Sequence, residues 1–318
     1  MTISYTTASW NPLVGCRPFS WGCLHCYAAR QAGTRLAHLP AYQGLVRNVG
    51  AGEQPYGVRY AFDGSCRVLQ DRLDAPLQAT RPQRYFVCST SDVFYEGFED
   101  HVRDQLLARM LLTPWHTYLI TTKRPALARG YLSDPHLLGR LVVCARSIRA
   151  DRPNLPTAIG EPGSALPPWI WMGVSVEDDA AWRARVPILE AIGATRKWVS
   201  LSPLLELPRD RLKWSFAQWV VIEGESGPSA RPYDLSWGDV ILDECRRLGI
   251  PAYHKQVGSN PRDDVREQAG QITHPSGADV SEWPEDLRVR QMPEWYASPH
   301  SPACARKSRK NPSLQEPK

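Results

Sequence analysis

The amino-acid sequence predicts a single-domain α/β fold, namely a TIM-like (β/α)8 barrel or part of one. Short apolar runs without polar alternation recur along the chain, which is typical of buried parallel strands. Amphipathic helical patterns separate several of these runs, and a strand followed by a helix is the repeating unit of such barrels. The 318 residues, 42% of them hydrophobic, are enough to bury one large core. An open doubly wound sheet is the alternative.

Eight strands are predicted. Six of them are short runs rich in β-branched and aromatic residues that end in polar residues. They span residues 84–91, 118–123, 170–177, 198–202, 219–225 and 253–256. A strand before Cys16 and another over residues 60–69 bring the count to the eight strands of a complete barrel.

Three helices are predicted most clearly. Residues 236–248 place Trp237, Val240, Ile241, Cys245 and Leu248 on one face, and Gly249 ends the helix. Acidic residues open the helices predicted over 100–112 and 178–193, in the sense that the helix dipole favours.

The barrel domain is expected to cover residues 1–292. Residues 149–168 are rich in proline and glycine and have no apolar period, so they predict a surface insertion between two strands. Residues 293–318 are polar and basic and predict a disordered tail. The net charge of +5 permits a nucleic-acid partner without requiring one.

The N-terminus and the cysteine spacing bear on cellular location. No apolar run reaches the roughly 18 residues of a membrane span, and residues 1–15 lack the basic-then-apolar order of a signal peptide. We therefore expect a cytoplasmic location and no membrane contact. In a reducing compartment, three clustered cysteines and five scattered ones favour a metal site over a disulfide framework.

The clustered cysteines are Cys16, Cys23 and Cys26, on a loop between the first predicted strand and a helix from Tyr27. In a barrel this loop lies at the carboxyl end of the strands, where active sites are found. Three thiolates on one loop can hold three irons of a [4Fe–4S] cluster and leave the fourth iron open to an exogenous ligand. The spacing thus predicts a cluster that takes part in chemistry.

Zinc is the competing interpretation, with His25 or His38 as a fourth ligand. Neither histidine belongs to a second C-x-x-C or H-x3-H element, so a zinc finger or ribbon is incomplete. A third alternative is that the three cysteines coincide on one loop by chance, although three free thiols there would be prone to oxidation.

Polar residues at the other strand ends are expected to converge on the cysteine loop. Lys123 should point into the barrel, and the glycine loop 224–231 could offer backbone N–H groups to an anion. Lys255 could pair with Glu225, and His254 is expected to be a satisfied core histidine. The converging residues are Asp92, Lys123, Arg124, Ser175, Glu177, Ser202, Glu225, Ser226, Arg231, Lys255 and Gln256.

Short motifs from Trp10 to Gly258 carry a family resemblance. They are, in order, Trp10-Asn11-Pro12, Gly15-Cys16, Gly22-Cys23, Cys26-Tyr27-Ala28, Ser91-Asp92, Thr122-Lys123-Arg124-Pro125, Gly173-Val174-Ser175-Val176-Glu177, Ser202-Pro203-Leu204-Leu205, Gly224-Glu225-Ser226-Gly227-Pro228, Ala230-Arg231-Pro232 and Lys255-Gln256. With them the chain resembles a phage-associated family of uncharacterised proteins that has a radical-SAM-like three-cysteine motif.

The resemblance implies a full or partial barrel related to radical S-adenosylmethionine enzymes, including the spore photoproduct lyase type that acts on DNA bases. The chain differs from the radical-enzyme pattern in two respects: the cysteine spacing is six then two residues instead of three then two, and His25 stands where an aromatic residue usually packs on adenine. It also differs from the family that it resembles, with Glu223 where glycine is usual and Ser202 where an acidic residue is usual, which implies an altered pocket. A related barrel that keeps its cluster for structure or redox sensing is therefore a further alternative.

These observations lead to a functional hypothesis. A [4Fe–4S] cluster on Cys16, Cys23 and Cys26 would bind S-adenosylmethionine, and an electron donor would reduce it to act on a nucleotide or DNA base. The expected catalytic residues are Lys123, Glu225 and Lys255, and the expected cofactor-binding residues are His25, Gly224, Glu225, Ser226 and Arg231. The rival hypothesis is a non-catalytic zinc- or cluster-binding protein that binds nucleic acid through its basic tail.

Overall fold

The computed structural model describes residues 3–49, 60–155, 166–209, 214–263 and 269–294. In chain order its strands are β1 (Ala8–Trp10), β2 (Leu13–Val14), β3 (Val46–Asn48), β4 (Tyr60–Phe62), β5 (Arg67–Val68), β6 (Arg84–Val87), β7 (Thr117–Thr122), β8 (Leu166–Ser175), β9 (Ala194–Leu201), β10 (Trp219–Glu223), β11 (Tyr233–Asp234), β12 (Ala252–Gln256) and β13 (Pro261–Arg262). Its α-helices are α1 (Tyr27–Gly33), α2 (Gln70–Leu73), α3 (Ala75–Gln78), α4 (Asp100–Leu112), α5 (Pro125–Leu132), α6 (Leu137–Ala150), α7 (Asp179–Ala191) and α8 (Leu235–Leu248).

Seven strands form one parallel sheet in the order β1-β6-β7-β8-β9-β10-β12. Each strand pairs with the sheet strand that follows it in the chain, so the sheet winds in one direction only. A doubly wound sheet reverses its strand order at a switch point, and this one does not. In the described part of the chain no ladder joins β12 to β1, and the sheet is a seven-strand half-barrel.

Tyr5 shows that the sheet curves. Its ring lies 6.4 Å from the ring of Phe86 on β6 and 5.5 Å from the ring of Tyr253 on β12. A third ring, that of Trp219 on β10, lies 5.2 Å from the ring of Tyr5. One side chain therefore contacts strands near both edges of the sheet, because the concave face closes around an aromatic core.

The convex face is covered by helices. Asp178 caps α7 by accepting a hydrogen bond from the backbone N–H of Ala181, and Asp234 caps α8 in the same way through Ser236. Gly249 ends α8 in the left-handed conformation at φ 68°. No helix in the described ranges combines the length and apolarity that crossing a bilayer requires.

The insert between β1 and β6 places the cysteine loop. It contains two antiparallel pairs, β2 with β5 and β3 with β4, and helix α1 packs on the second pair. A small apolar core including Val14, Ala29, Leu45 and Phe62 holds these elements together. The loop that carries the cysteines is therefore anchored on both sides, by β2 before it and α1 after it.

The structure corrects one predicted strand. Residues 60–69 do not join the sheet, because Tyr60–Phe62 pairs with Val46–Asn48 and Arg67–Val68 pairs with Leu13–Val14. Within the described residues the parallel sheet thus has seven strands instead of eight. The complete (β/α)8 barrel was wrong at this strand, and the α/β class with a parallel sheet is confirmed.

The predicted insertion 149–168 is shorter than expected. Arg149 and Ala150 belong to α6, and Leu166–Ser175 is strand β8, whose first residues pair with β9 through Leu166 and Ala194. Residues 156–165 of the insertion and residues 295–318 of the predicted tail lie outside the described ranges.

Candidate functional site

The carboxyl ends of the parallel strands form a polar rim, and the cysteine loop lies across it. Gly15 starts the loop at φ 89°, and a Cβ atom there would lie 2.2 Å from the carbonyl oxygen of Ser65. Only glycine fits this turn. Farther along, Gly22 packs on Glu177, whose Cδ would lie 2.9 Å from an added Cβ. Glycines thus let the loop approach the barrel closely at two points.

The three loop thiols lie near one another. Burial is the largest cause that raises the pKa of Cys16 and of Cys26. The neighbouring thiols raise these pKa values further: Cys23 and Cys26 act on Cys16, and Cys23 acts on Cys26. All seven cysteines in the described residues are free thiols. Within the same residues, no group of three or more His, Cys, Asp or Glu side chains is arranged to hold a metal ion.

Arg124 fixes the first part of the loop. Its Nη2 donates a hydrogen bond of 2.9 Å to the carbonyl oxygen of Arg17, and its Nη1 lies 3.8 Å from Sγ of Cys16. Oδ2 of Asp92 lies 3.4 Å from Nη1 of Arg124 and holds the guanidinium in place. The same carboxylate accepts hydrogen bonds from the hydroxyl of Thr122 and from the backbone N–H of Lys123. The ends of β6 and β7 therefore position Cys16 through one buried arginine.

Glu177 is the fully buried carboxylate of the rim. It accepts hydrogen bonds from Lys123 Nζ at 2.9 Å and from both terminal nitrogens of Arg185 at 2.8 and 3.0 Å. Burial favours the neutral acid, but Lys123, Arg185 and the hydroxyl of Ser20 overcome it and lower the pKa of Glu177 to about 2. Lys123 points into the barrel as predicted, and its charge is neutralised there.

Glu225 connects the second half of the cysteine loop to the end of β10. Arg231 donates to it from Nε at 2.9 Å, Nη2 at 2.5 Å and the backbone N–H at 2.8 Å. Nδ1 of His25 lies 3.0 Å from Oε2 of the same carboxylate. Burial raises the pKa of Glu225, whereas His25 and Arg231 lower it to about 2. Arg231 also donates to the carbonyl oxygen of Trp21, which lies in the loop.

Lys255 pairs with Glu223 and not with Glu225. Lys255 lies two positions after Tyr253, and Glu223 lies two positions after Val221; both earlier residues belong to the aromatic core on the concave side. Because side chains two positions apart on a strand share a face, Lys255 and Glu223 also face the concave side. Ser202 donates a short hydrogen bond to the other oxygen of Glu223. The predicted Lys255–Glu225 pair was wrong, because Glu225 lies beyond the strand end and is bound by Arg231.

The glycine loop 224–231 uses its amides internally. The backbone N–H of Gly224 donates to the carbonyl oxygen of Gln256, that of Gly227 donates to the hydroxyl of Ser259, and that of Arg231 donates to Glu225. The predicted anion cradle is contradicted at these three positions. The loop serves instead to hold the Glu225 carboxylate under the cysteine loop.

The strand-end residues converge largely as predicted. Ser175 accepts a 2.9 Å hydrogen bond from Nζ of Lys123, and the contacts above bring seven of the predicted residues to one rim: Asp92, Lys123, Arg124, Ser175, Glu177, Glu225 and Arg231. Sequence reasoning missed Arg185, because a charged helix residue gives no signal of burial. It marked Glu223 and Ser202 as departures from the family pattern, and the structure joins these two side chains by a hydrogen bond. His254 is a satisfied core histidine, bonded to Tyr233 and to the carbonyl oxygen of Leu287.

Comparison with known proteins gives one match. The model of a family described as a protein of unknown function, DUF5131, matches residues 1–290. No curated protein and no solved structure matches the chain.

Proposed function

The chain belongs to this family of unknown function, and we propose that it is an iron–sulfur enzyme of the radical S-adenosylmethionine type. The observation that carries the proposal is the placement of Cys16, Cys23 and Cys26, three neighbouring free thiols on a loop at the carboxyl end of a parallel half-barrel. Active sites of barrels built from strand–helix units lie at that end.

The donor set suits a cluster. Thiolates are the ligands of [4Fe–4S] centres, and three of them leave one iron open. Three sulfur atoms on a single tetrahedral zinc ion would lie about 3.8 Å apart, since each Zn–S bond is about 2.3 Å. A cubane cluster requires the three sulfur atoms to lie farther apart, because each thiolate binds a different iron of the cube. Cys16, Cys23 and Cys26 are the residues that would hold it.

The surrounding residues would orient and shield the site. Arg124 places a guanidinium 3.8 Å from Sγ of Cys16, and a positive charge there favours a thiolate over a thiol. His25, Glu225 and Arg231 fix the loop between Cys23 and Cys26 to the barrel. A bound [4Fe–4S] cluster would supply the electron that cleaves S-adenosylmethionine and so provides a radical for hydrogen abstraction from substrate.

Three charged side chains that are largely buried line the concave side below the cysteine loop: Lys123, Glu223 and Lys255. Each of these side chains forms an ion pair, so the rim carries little net charge and its polar groups are held in place before a ligand binds. We propose that Lys123 and Lys255 contact the polar groups of S-adenosylmethionine or of the substrate, with Glu177 and Glu223 holding their ammonium groups in place. Glu225 is a positioning residue for the cysteine loop in this account, with Arg231.

Cofactor cleavage is the direct test. Anaerobically purified protein is reduced with dithionite in the presence of S-adenosylmethionine, and 5′-deoxyadenosine and methionine are measured by chromatography. We expect both products from the parent and neither from Cys23→Ser, while Cys144→Ser, which changes a thiol on α6, should retain the activity. An iron-containing parent that forms no 5′-deoxyadenosine would support the structural or redox-sensing alternative and refute the enzyme.

A further inference from the structure

The exposed aromatic side chains of the described residues are concentrated on the cysteine loop and the first residue of α1. Five large hydrophobic residues are exposed in the described ranges, and the three aromatic ones are Phe19, Trp21 and Tyr27, at 53%, 44% and 41%. The other two are aliphatic and lie on α5 and α6, Leu127 and Val143. We name Phe19, Trp21 and Tyr27 the aromatic loop surface. Phe19 and Trp21 lie between Cys16 and Cys23, and Tyr27 follows Cys26 directly.

Buried arginines hold two of these rings from below. The guanidinium of Arg124 lies 4.9 Å from the ring centre of Phe19, and that of Arg231 lies 5.0 Å from the ring of Trp21. Tyr27 is held by its hydroxyl, which donates a 2.7 Å hydrogen bond to the carbonyl oxygen of Ser89. The rings are thus fixed in place while a large part of each remains exposed, which is the arrangement of a stacking surface.

The N-terminal segment that carries this surface contains basic residues and no acidic ones, and the acids that face it from other elements are each paired with a cation: Asp92, Glu96, Glu177 and Glu225. Residues 1–52 contain four arginines, Arg17, Arg30, Arg35 and Arg47, and the first acidic residue of the chain is Glu53. Arg17 lies on the cysteine loop itself, and Arg30 lies on α1 with its guanidinium against Gly227 of the glycine loop. Cationic side chains beside exposed rings complement a polymer of phosphates and planar bases.

We propose that the aromatic loop surface binds single-stranded nucleic acid, with unpaired bases stacked on Phe19, Trp21 and Tyr27 and phosphates near Arg17 and Arg30. The surface lies directly over the candidate site, so a bound strand presents a base to it. The inference that the bound strand is the substrate of the enzyme rests on the proposed function. The inference that this surface binds single strands rests on the exposed rings and does not require that function.

Fluorescence anisotropy tests it on the whole chain, purified anaerobically, with labelled single strands of about 12 nucleotides in DNA and RNA form. Trp21→Ala and Phe19→Ala should each weaken binding about 5- to 150-fold, the range for loss of one base–aromatic stack. Leu127→Ala and Val143→Ala remove exposed apolar side chains elsewhere and should leave affinity unchanged. Trp21→Phe should restore most of the affinity and controls for damage to the loop.

An abasic strand separates stacking from charge attraction. It keeps the phosphates and lacks the bases, so we expect it to bind the parent protein more weakly than the base-containing strand binds Trp21→Ala, which loses only one of the three stacks. Equal binding of abasic, duplex and single-stranded probes would overturn the proposal, as would no binding at low salt. Iron content is measured on each sample: lost binding with retained iron refutes this inference alone, whereas missing iron with retained binding refutes only the proposed enzyme.

Discussion

Replacing Glu225 with glutamine removes the charge that ties the cysteine loop to the barrel while keeping the side-chain shape. The carboxylate is 5% exposed, and its pKa is lowered from the ordinary 4.5 to about 2. One pH unit corresponds to about 1.4 kcal/mol, so the ionised form contributes about 3 kcal/mol to the free energy of unfolding at neutral pH. The lowered pKa already includes the attraction of the buried Arg231 guanidinium, so the loss of this counter-charge in Glu225→Gln is part of the same amount.

The sign of the pH dependence follows from the lowered pKa. The contribution is fully present above the unfolded-state value of about 4.5 and is lost as the pH falls towards 2. Urea unfolding of parent and Glu225→Gln at several pH values should therefore show a difference of about 3 kcal/mol at pH 7 that shrinks below about pH 4.5.

Glu96→Gln is the matched control. Glu96 also accepts a hydrogen bond from an arginine, Nε of Arg124 at 2.7 Å, but its side chain is 50% exposed. Exposed pairs contribute less than about 1 kcal/mol, so this variant should remain close to the parent. Equal losses in Glu96→Gln and Glu225→Gln, or a Glu225→Gln difference that does not depend on pH, would refute the reasoning.

Three further perturbations test the surroundings. Gly15→Ala should lower the free energy of unfolding by more than about 2 kcal/mol, since the added Cβ would meet backbone atoms at 2.2 and 2.8 Å. Gly139→Ala, which has open space around it in α6, should raise the free energy of unfolding by up to about 1 kcal/mol. Equal shifts of the two variants in thermal unfolding would contradict this expectation. Burial lowers the pKa of His254 to about 4, so the unfolded state binds more protons and stability should fall as the pH drops from about 6.5 to 4. His254→Asn should reduce that slope in melts taken against pH, and an unchanged slope would count against it. Burial and Asp92 raise the pKa of Cys16, so iron loading of the apoprotein should increase from about pH 6.5 to about pH 9, and loading that does not vary with pH would contradict thiolate ligation.

The main elements of the fold follow from local patterns. Helix α4 begins at Asp100 and ends at Leu112 as predicted, and the acidic residue in its first turn is the local signal that marks its start. The strand over residues 60–69 was assigned to the sheet because short apolar runs look alike whatever their partner. Its pairing with Val46–Asn48 depends on contacts across the insert, which no local pattern encodes.

The sequence predicted where the site lies, but not which of its charged side chains form ion pairs with one another. Strand ends of a parallel sheet meet at one edge, so Lys123 and Glu225 were expected near the cysteines. Which carboxylate binds Lys255 depends on which side of the sheet each residue faces, and the register between β10 and β12 shifts between Ile222 and Glu223. Because of this shift Glu223 lies beside Gln256 in the ladder while its side chain binds Lys255, and the sequence alone instead suggested Glu225 as the partner of Lys255.

Metal content of the purified protein tests the central claim most directly. The protein is isolated anaerobically, its absorbance spectrum is recorded, and iron and zinc are determined for the parent, for Cys16→Ser, Cys23→Ser and Cys26→Ser, and for the control Cys144→Ser. The account predicts a brown parent and control with about four irons per chain, and loss of iron in each loop variant. A colourless parent that holds zinc, or iron that persists in all three loop variants, would contradict it.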